Sequence, residues 1–381
     1  MSDVAIVGVG QSTFSRNANV NIKEMAFEAF KEAMEGLKIQ YADIEASIIC
    51  SSLYDKQRSA ESPIASYLGL NPQPTFLVEN ACAAGTTGLR VAWAFIKSGL
   101  YRIAAVIGVE KMSGQSSREA AEMMGRMYDV VWESPFGLTM PSGYAMYARA
   151  HMAKYGTTDV HLAQVRVKNS HYSLKNPKAT FRKELSLDDV LNSTTIASPL
   201  KLLDACANAD GAACIILAEA KTARRIAEKP IWIAGIGSAS GTSISGRKSM
   251  TSLECARSAA KQAYAMAGVG PEDIDVAEVH DCFTIAEIMA YEDLGFAEPG
   301  GGARLIENKE TYHEGRIPVN VDGGLLCKGH PIGATGCSQI RTIVRQLRGE
   351  CGDVQVKDAE IGLTHNVGGI GHYANVTILR R

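Results

Sequence analysis

Nowhere in the 381 residues does an uninterrupted apolar run approach the roughly 18 residues that crossing a bilayer requires. The opening, Met1-Ser-Asp-Val, lacks both the basic and the apolar region of a secretory signal. No membrane span is expected, and the chain is expected to stay where it is made, in the cytoplasm; its final Leu-Arg-Arg is not the peroxisomal Ser-Lys-Leu. Neither charge is in excess. With 39 Lys+Arg against 41 Asp+Glu the formal net charge is −2, so there is no overall field for holding nucleic acid or an anionic membrane. A local basic groove for a phosphorylated ligand remains compatible with that balance. CxxC pairs are missing too: the nine cysteines are odd in number and scattered. That excludes a disulfide framework and a zinc ribbon and makes most of them reduced, buried thiols. What the chain has is apolar bulk, 46% of its residues, enough for a large core in two or three units at about 150 residues each.

The sequence also contains itself twice. The run Val4-Ala-Ile-Val-Gly-Val-Gly-Gln-Ser-Thr13 reappears as Ile231-Trp-Ile-Ala-Gly-Ile-Gly-Ser-Ala-Ser240. Each copy leads into an Ala-rich helical stretch and a second apolar strand, with Lys31, Ala33 and Asp43-Ile44 matching Lys261, Ala263 and Asp273-Ile274. Farther on, Cys82-Ala-Ala-Gly-Thr-Thr-Gly88 lies over His330-Pro-Ile-Gly-Ala-Thr-Gly336, with glycines 85 and 333, threonines 87 and 335, and glycines 88 and 336 in register. Each motif follows a predicted strand (Thr75 to Glu79; Ile317 to Val321) and precedes a predicted amphipathic helix (Leu89 to Ser98; Ser338 to Leu347). Alternating strands and helices predict an α/β layered fold with mainly parallel sheets. The halves are placed at residues 1–222 and 229–381. An insertion rich in Met and aromatics, about residues 112–200, has no counterpart in the second half. Such a stripe is ordinarily core or subunit interface, but beside the sheet ends it can also cover a cofactor tail or shape an acyl pocket.

The paired junctions place Cys82 and His330 at equivalent points of the two halves, where a nucleophile and a base can meet. A helix N-terminus at Cys82 and a nearby imidazole are both expected to favour the thiolate. At the end of the apolar strand Val276 to Val279, where parallel α/β sheets bind ligands, stand His280 and Cys282. One can hydrogen-bond an oxyanion while the other moves a proton. Reading Cys82, His280, Cys282 and His330 as zinc ligands lacks the usual close ligand pairs, and no metal is expected. In Thr364-His365-Asn366-Val367-Gly368-Gly369-Ile370-Gly371 the glycines allow a turn whose N–H groups point inward, the material of an oxyanion hole, or simply a flexible turn. Gly8-Val-Gly10 does not complete the dinucleotide-binding GxGxxG.

Asn80-Ala-Cys82-Ala-Ala-Gly85, His280-Asp-Cys282-Phe283, Gly329-His330-Pro-Ile-Gly-Ala-Thr-Gly336 and His365-Asn-Val-Gly-Gly-Ile-Gly371 together resemble the four active-site loops of the thiolase superfamily. The resemblance spans nearly the whole chain, and the octapeptide at 329–336 is its most specific part. It implies two pseudo-symmetric halves in a five-layered αβαβα sandwich, with an inserted loop subdomain that helps bind coenzyme A. It further implies a homodimer or dimer of dimers with no permanently bound cofactor, coenzyme A being a substrate. Cys82 would be the acylated nucleophile and His330 its base and part of one oxyanion hole; N–H groups at Cys82 and at Val367 to Gly369 would form another.

Two departures refine the likeness. Biosynthetic and degradative thiolases carry Asn-Glu-Ala-Phe or His-Glu-Ala-Phe where this chain has His-Asp-Cys-Phe, and Cys-x-Gly where it has His-Asn-Val-Gly-Gly. The pattern is similar to sterol-carrier-protein-type and archaeal-type thiolases. That likeness implies Cys282 as the second acid/base, His280 as a ligand of the thioester oxygen, and His365 with Asn366 as further proton-transfer candidates. It also implies a separately encoded zinc-ribbon/OB-fold partner. The expected activity is thiolysis of a 3-oxoacyl-CoA, or the reverse Claisen condensation, on a substrate like acetoacetyl-CoA or a bulkier one such as benzoylsuccinyl-CoA. The alternatives are an irreversible ketoacyl-synthase-type condensing enzyme and a non-catalytic acyl-CoA-binding scaffold.

Overall fold

The computed structural model describes residues 3–16, 19–52 and 58–381; Met1 and Ser2 of the opening lie outside them. In the first half, strands β1 (Val4–Gln11), β2 (Ala46–Cys50), β3 (Thr75–Val78) and β4 (Ile103–Glu110) alternate with helices α1 (Ile22–Met34), α2 (Glu61–Tyr67) and α3 (Ala84–Lys97). The insertion follows, with α4 (Ser117–Gly125), α5 (Met140–Tyr155), α6 (Asp159–Ser173), α7 (Leu187–Leu191) and a short antiparallel ribbon of β5 (Thr195–Ala197) and β6 (Leu200–Lys201). Strand β7 (Gly211–Glu219) and α8 (Ala220–Ile226) close the half. The second half holds β8 (Ile231–Ser240), α9 (Glu254–Ala267), β9 (Val276–Glu278), α10 (Thr284–Asp293), α11 (Gly302–Glu307), α12 (Gly324–Lys328), α13 (Ile332–Arg348), β10 (Ile361–Gly368) and β11 (Tyr373–Arg380).

Among the described residues, nine strands join one sheet in the order β3-β2-β4-β7-β1-β8-β11-β10-β9. Read outward from its centre, β1-β7-β4-β2-β3 is answered by β8-β11-β10-β9. A parallel bridge from Val319 to Ala277 supplies the fifth position of the second half. The halves meet where Ala5 and Ile6 of β1 pair with Trp232 and Ile231 of β8.

The expectation of mainly parallel pairing is corrected. Among the described residues, the strand pairs β2–β3, β2–β4 and β9–β10 are parallel, whereas β1–β7, β4–β7, β1–β8, β8–β11 and β10–β11 are antiparallel. Strands β10 and β11 are separated by the short turn at residues 369–372, and a parallel return needs a crossover of a dozen residues or more. The strand expected at Ile317 to Val321 is reduced to the single bridge at Val319. Asn320 turns into the left-handed region (φ 54°), and its side chain accepts the Val279 N–H at 2.9 Å.

Helix α1 covers β1, β4 and β7 from outside, α9 covers β8 and β11, and α3 and α13 fill the space between the two half-sheets. The repeated Gly-x-Gly serves this packing. A Cβ at Gly8 would stand 2.0 Å from the Ala33 carbonyl oxygen of α1, and one at Gly237 would stand 1.7 Å from that of Ala259 of α9. The junction glycines do the same between the central helices, since a Cβ at Gly336 would lie 2.6 Å from the backbone nitrogen of Thr86. Among the described residues, no helix is long and apolar enough to cross a membrane.

Helix α6 of the insertion is threaded into the second half with a polar buried face. The fully buried Lys168 ammonium pairs with Glu287 and donates to the Val319 carbonyl at 2.8 Å. Asn169 Nδ2 donates to Asp281 Oδ2 at 2.8 Å and to Glu287 Oε2 at 2.9 Å. Asp281, between His280 and Cys282, in turn accepts the Leu325 and Leu326 N–H groups of α12 at 2.7 and 3.2 Å. Removing one partner strands a buried charge. Lys168→Met is therefore expected to lower stability by about 3–5 kcal/mol in urea unfolding, and Lys168→Met/Glu287→Leu to restore part of the loss; a double variant less stable than the single one would contradict this account.

Candidate active site

After β3 the chain turns sharply. Ala81 lies in the left-handed region (φ 50°), unusual for a residue with a Cβ, and the Glu79 carboxylate accepts its N–H at 2.8 Å. This turn sets Cys82 directly before α3, where it is 4% exposed. His330 arrives from the other half through Gly329 (φ 103°), and its own N–H donates to the Ala207 carbonyl at 3.1 Å. The two meet with His330 Nε2 3.1 Å from Cys82 Sγ. On the far side of the ring, His330 Nδ1 lies 2.7 Å from Thr335 Oγ1, whose hydroxyl donates to the Pro331 carbonyl at 3.0 Å. With that proton committed, Thr335 can only accept from Nδ1–H, which leaves the Nε2 lone pair facing the thiol.

Thr335 is thus a positioning residue that the sequence displayed only as a repeat match to Thr87. Thr335→Val is expected to slow acylation of Cys82 about 100-fold, the scale of a misoriented catalytic group, while Thr335→Ser stays near the parent. Stopped-flow or quenched acylation measurements would check this; equal loss in both variants would count against the hydrogen bond.

The His280 ring stands edge-on to that of His330, with centroids 5.2 Å apart. Asn366 Nδ2 donates to His280 Nδ1 at 3.1 Å, while Asn366 Oδ1 accepts from Thr86 Oγ1 at 2.9 Å. Thr86 is held by Asn375 Nδ2 at 3.0 Å. This chain puts the proton of His280 on Nε2, a buried atom with no partner among the described residues. It is suited to donate to an oxyanion. Cys82, His280 and His330 bring one ligand atom each within 4.8 Å of one another, the arrangement closest to a metal site among the described residues. An Nε2–H on His280 offers a metal no lone pair, so the hydrogen bonding favours the donor role.

Cys282 is not within that distance of all three. Its carbonyl accepts the Cys206 N–H at 3.0 Å, beside an antiparallel bridge between Ala205 and Phe283. The Tyr144 hydroxyl oxygen lies beside its thiol, and the Tyr144 ring stacks on Phe283 with centroids 4.6 Å apart. His365 is also outside the tight group. Both its ring nitrogens lack partners among the described residues, and it lines a small cavity with Tyr144, Met289 and Asp293 as well as His280.

The turn after Val367 and Gly368 carries Gly369 (φ 62°), whose N–H points at Cys82 Sγ. The turn is pinned from the insertion: Tyr144 O–H donates to the Gly369 carbonyl at 3.2 Å and Tyr147 O–H to that of Ile370 at 2.6 Å. In the sequence Tyr144 is one of many aromatics in the insertion, and no spacing marks Cys206.

Burial decides the protonation states. It pushes the Cys82 thiol up to about 12, against which the Gly369 N–H is the chief opposing influence. It also holds His330 down to about 3 and His365 to about 4. The helix start and imidazole expected to favour the thiolate are outweighed here by burial. The resting pair is neutral thiol and neutral imidazole, so the proton must pass to Nε2 as the sulfur attacks.

The buried histidines also set the acid limit of the fold. Their unfolded values lie at 6.5 and their folded values lower. The unfolded chain therefore binds more protons in between, and stability is full above pH 6.5 and lost as pH falls toward 4 and then 3. The urea midpoint is expected to drop between about pH 7 and pH 5, less steeply in His365→Gln; identical slopes would deny His365 that share.

Two sequence profiles match the chain: Thiolase, N-terminal domain over residues 4–221, and Thiolase C-terminal domain-like over residues 237–381. An acetyl-CoA acetyltransferase of Methanothermobacter thermautotrophicus is 43% identical over 385 residues, covering 100% of both chains. The benzoylsuccinyl-CoA thiolase subunit BbsB of Thauera aromatica is 32% identical over 368 residues, covering 96% of this chain and 94% of that one. Among solved structures, the Ltp2-ChsH2(DUF35) aldolase superposes with a TM-score of 0.87 at 26% identity, covering 99% of this chain and 97% of that one. Two profiles that divide the chain between them, and a relative matched end to end, assign it to the thiolase family, as an acyltransferase.

Proposed function

We propose that this chain catalyses reversible, coenzyme A-dependent thiolysis of a 3-oxoacyl-CoA through an acyl-Cys82 intermediate. The observation that carries the reading is the 3.1 Å contact of Cys82 Sγ with a His330 ring whose other nitrogen is fixed by Thr335. Cys82 sulfur attacks the 3-keto carbon and its proton passes to His330 Nε2. The C2–C3 bond then breaks, its electron pair forming the enolate of the departing acyl-CoA. His280 Nε2–H stabilises the thioester oxygen, and the Cys282 thiol protonates C2. Coenzyme A next transfers the acyl group from Cys82 to its own sulfur, its thiol proton restoring the site. Run backwards, the sequence is a Claisen condensation. The N–H groups at Cys82 and in the 367–369 turn supply a second oxyanion hole.

The substrate is a 3-oxoacyl-CoA of the acetoacetyl-CoA kind or a bulkier one; the named activities of the two sequence relatives support each. A homodimer in the cytoplasm, and a small zinc-ribbon/OB-fold partner, belong to the same proposal. The partner draws support from the DUF35 component named for the structural neighbour. Decarboxylative condensation would also use Cys82, His280 and His330; what favours thiolysis is Cys282, a proton donor that loss of carbon dioxide does not need. The test is intact-mass analysis of the purified chain after incubation with acyl- and 3-oxoacyl-CoAs, with peptide mapping. An acyl adduct on Cys82 that free coenzyme A removes supports the reading. Turnover confined to malonyl thioesters would favour the condensing enzyme, and binding without any adduct would favour a scaffold.

A further inference from the structure

Helix α4 has one polar face and one apolar face. A capping box between Ser116 and Glu119 starts the helix, and its solvent side carries Arg118, Glu119 and Glu122, with Arg118 Nε 2.9 Å from Glu122 Oε1. The opposite side presents Ala120, Met123, Met124 and, in the turn that follows, Met127, an i, i+3, i+4, i+7 stripe. These residues pack on a cluster whose buried members are Cys82, Met112 and Ile332. The nucleophile is thus a member of the small cluster on which the methionine stripe packs. An ordinary core would seal such side chains, yet Met123, Met124 and Met127 are only half-buried while Cys82 and Met112 are each 4% exposed.

We infer that this methionine wall selects the acyl group carried by Cys82, admitting neutral apolar acyl groups of widely different bulk, branched and aryl ones included, and rejecting anionic ones. Unbranched thioether chains re-pack around different shapes at little cost and make favourable contacts with aromatic rings. They offer no donor that could pair a carboxylate, which would lose its hydration without compensation. The carboxylates of Glu79 and Glu110 add to this, both acting against negative charge at the Cys82 position. Because the sulfur attacks the 3-keto carbon, only the acyl part beyond that carbon meets the wall. An acidic group elsewhere in the substrate would leave with the departing acyl-CoA.

The inference rests on the acyl-Cys82 reading, and one experiment separates the two. Acetyl-, isobutyryl-, benzoyl- and succinyl-CoA are each mixed with the purified chain, and the rate of mass gain on Cys82 is followed. Isobutyryl and benzoyl transfer are expected within about tenfold of acetyl, and succinyl about 100-fold slower, the range that pocket contacts discriminate. In Met124→Trp the benzoyl-to-acetyl rate ratio should fall at least about tenfold. A ratio is used because partial misfolding would lower both rates alike. Fast acetylation without the bulkier adducts, succinyl transfer as fast as acetyl, or an unchanged ratio in Met124→Trp would overturn the wall while leaving the nucleophile in place. Failure of every donor to label Cys82 would overturn both.

Discussion

With Cys82 replaced by alanine, thiolysis is expected to fall by about 10⁴ to 10⁶, and no acyl adduct should form from any donor. The size of the loss follows from what the sulfur does: it is the atom that becomes bonded to the substrate, so no remaining group can take over its bond. Binding should survive. Cys82 is a small side chain at the mouth of α3, and its removal leaves the 367–369 turn, held by Tyr144, Tyr147 and Arg247 through their bonds to Gly369 and Ile370, in place. Calorimetric titration of the variant with acetyl-CoA should therefore give a dissociation constant within a few-fold of the parent. Turnover within tenfold of the parent would dismiss Cys82 as nucleophile.

Cys282→Ala should divide the reaction into its two chemical parts. Acyl groups should still move from acyl-CoA to Cys82, because that step uses only Cys82, His330 and the oxyanion donors. Exchange of the C2 protons of acetyl-CoA with deuterated water, and with it carbon–carbon cleavage, should fall by about 10² to 10⁴, the contribution of a positioned general acid/base. Burial keeps the Cys282 thiol well above its ordinary value, so it rests as a proton donor. Tyr144→Phe also loses the bond to the Gly369 carbonyl that holds the turn beside Cys82, so it should slow both acylation and exchange, each by about tenfold. Undiminished exchange in Cys282→Ala would move the proton-transfer role to another group such as His365, whose two ring nitrogens have no partner among the described residues.

Much of this site was legible because the chain repeats. The overlay of Cys82-Ala-Ala-Gly-Thr-Thr-Gly88 on His330-Pro-Ile-Gly-Ala-Thr-Gly336 placed a thiol and an imidazole at equivalent junctions, and the fold closes them to 3.1 Å. Strand direction was not legible, because an apolar run of period two reads the same in parallel and antiparallel pairing. The protonation of Cys82 escaped for a related reason. A helix start and a nearby histidine can be read from residue types, whereas desolvation depends on everything packed around the sulfur, including an α4 face 40 residues downstream. Cys206 and Tyr144 reach the site by tertiary packing from segments with no motif of their own. Thr335 was visible, but only its hydrogen bond says what it does.

Helix α13 begins two residues after His330, yet it packs on β4 and β7 of the first half as well as on β9 and β10 of the second, and every residue from Ile332 to Val344 is buried. Neither half can therefore own a complete hydrophobic interior. Separated at the connection between β7 and β8, each would expose a wide apolar surface that the other now covers. Reactivity and folding are in this way coupled: the thiol acquires its base only when the two copies have closed on the same helix, so an incompletely folded chain does not carry a primed nucleophile.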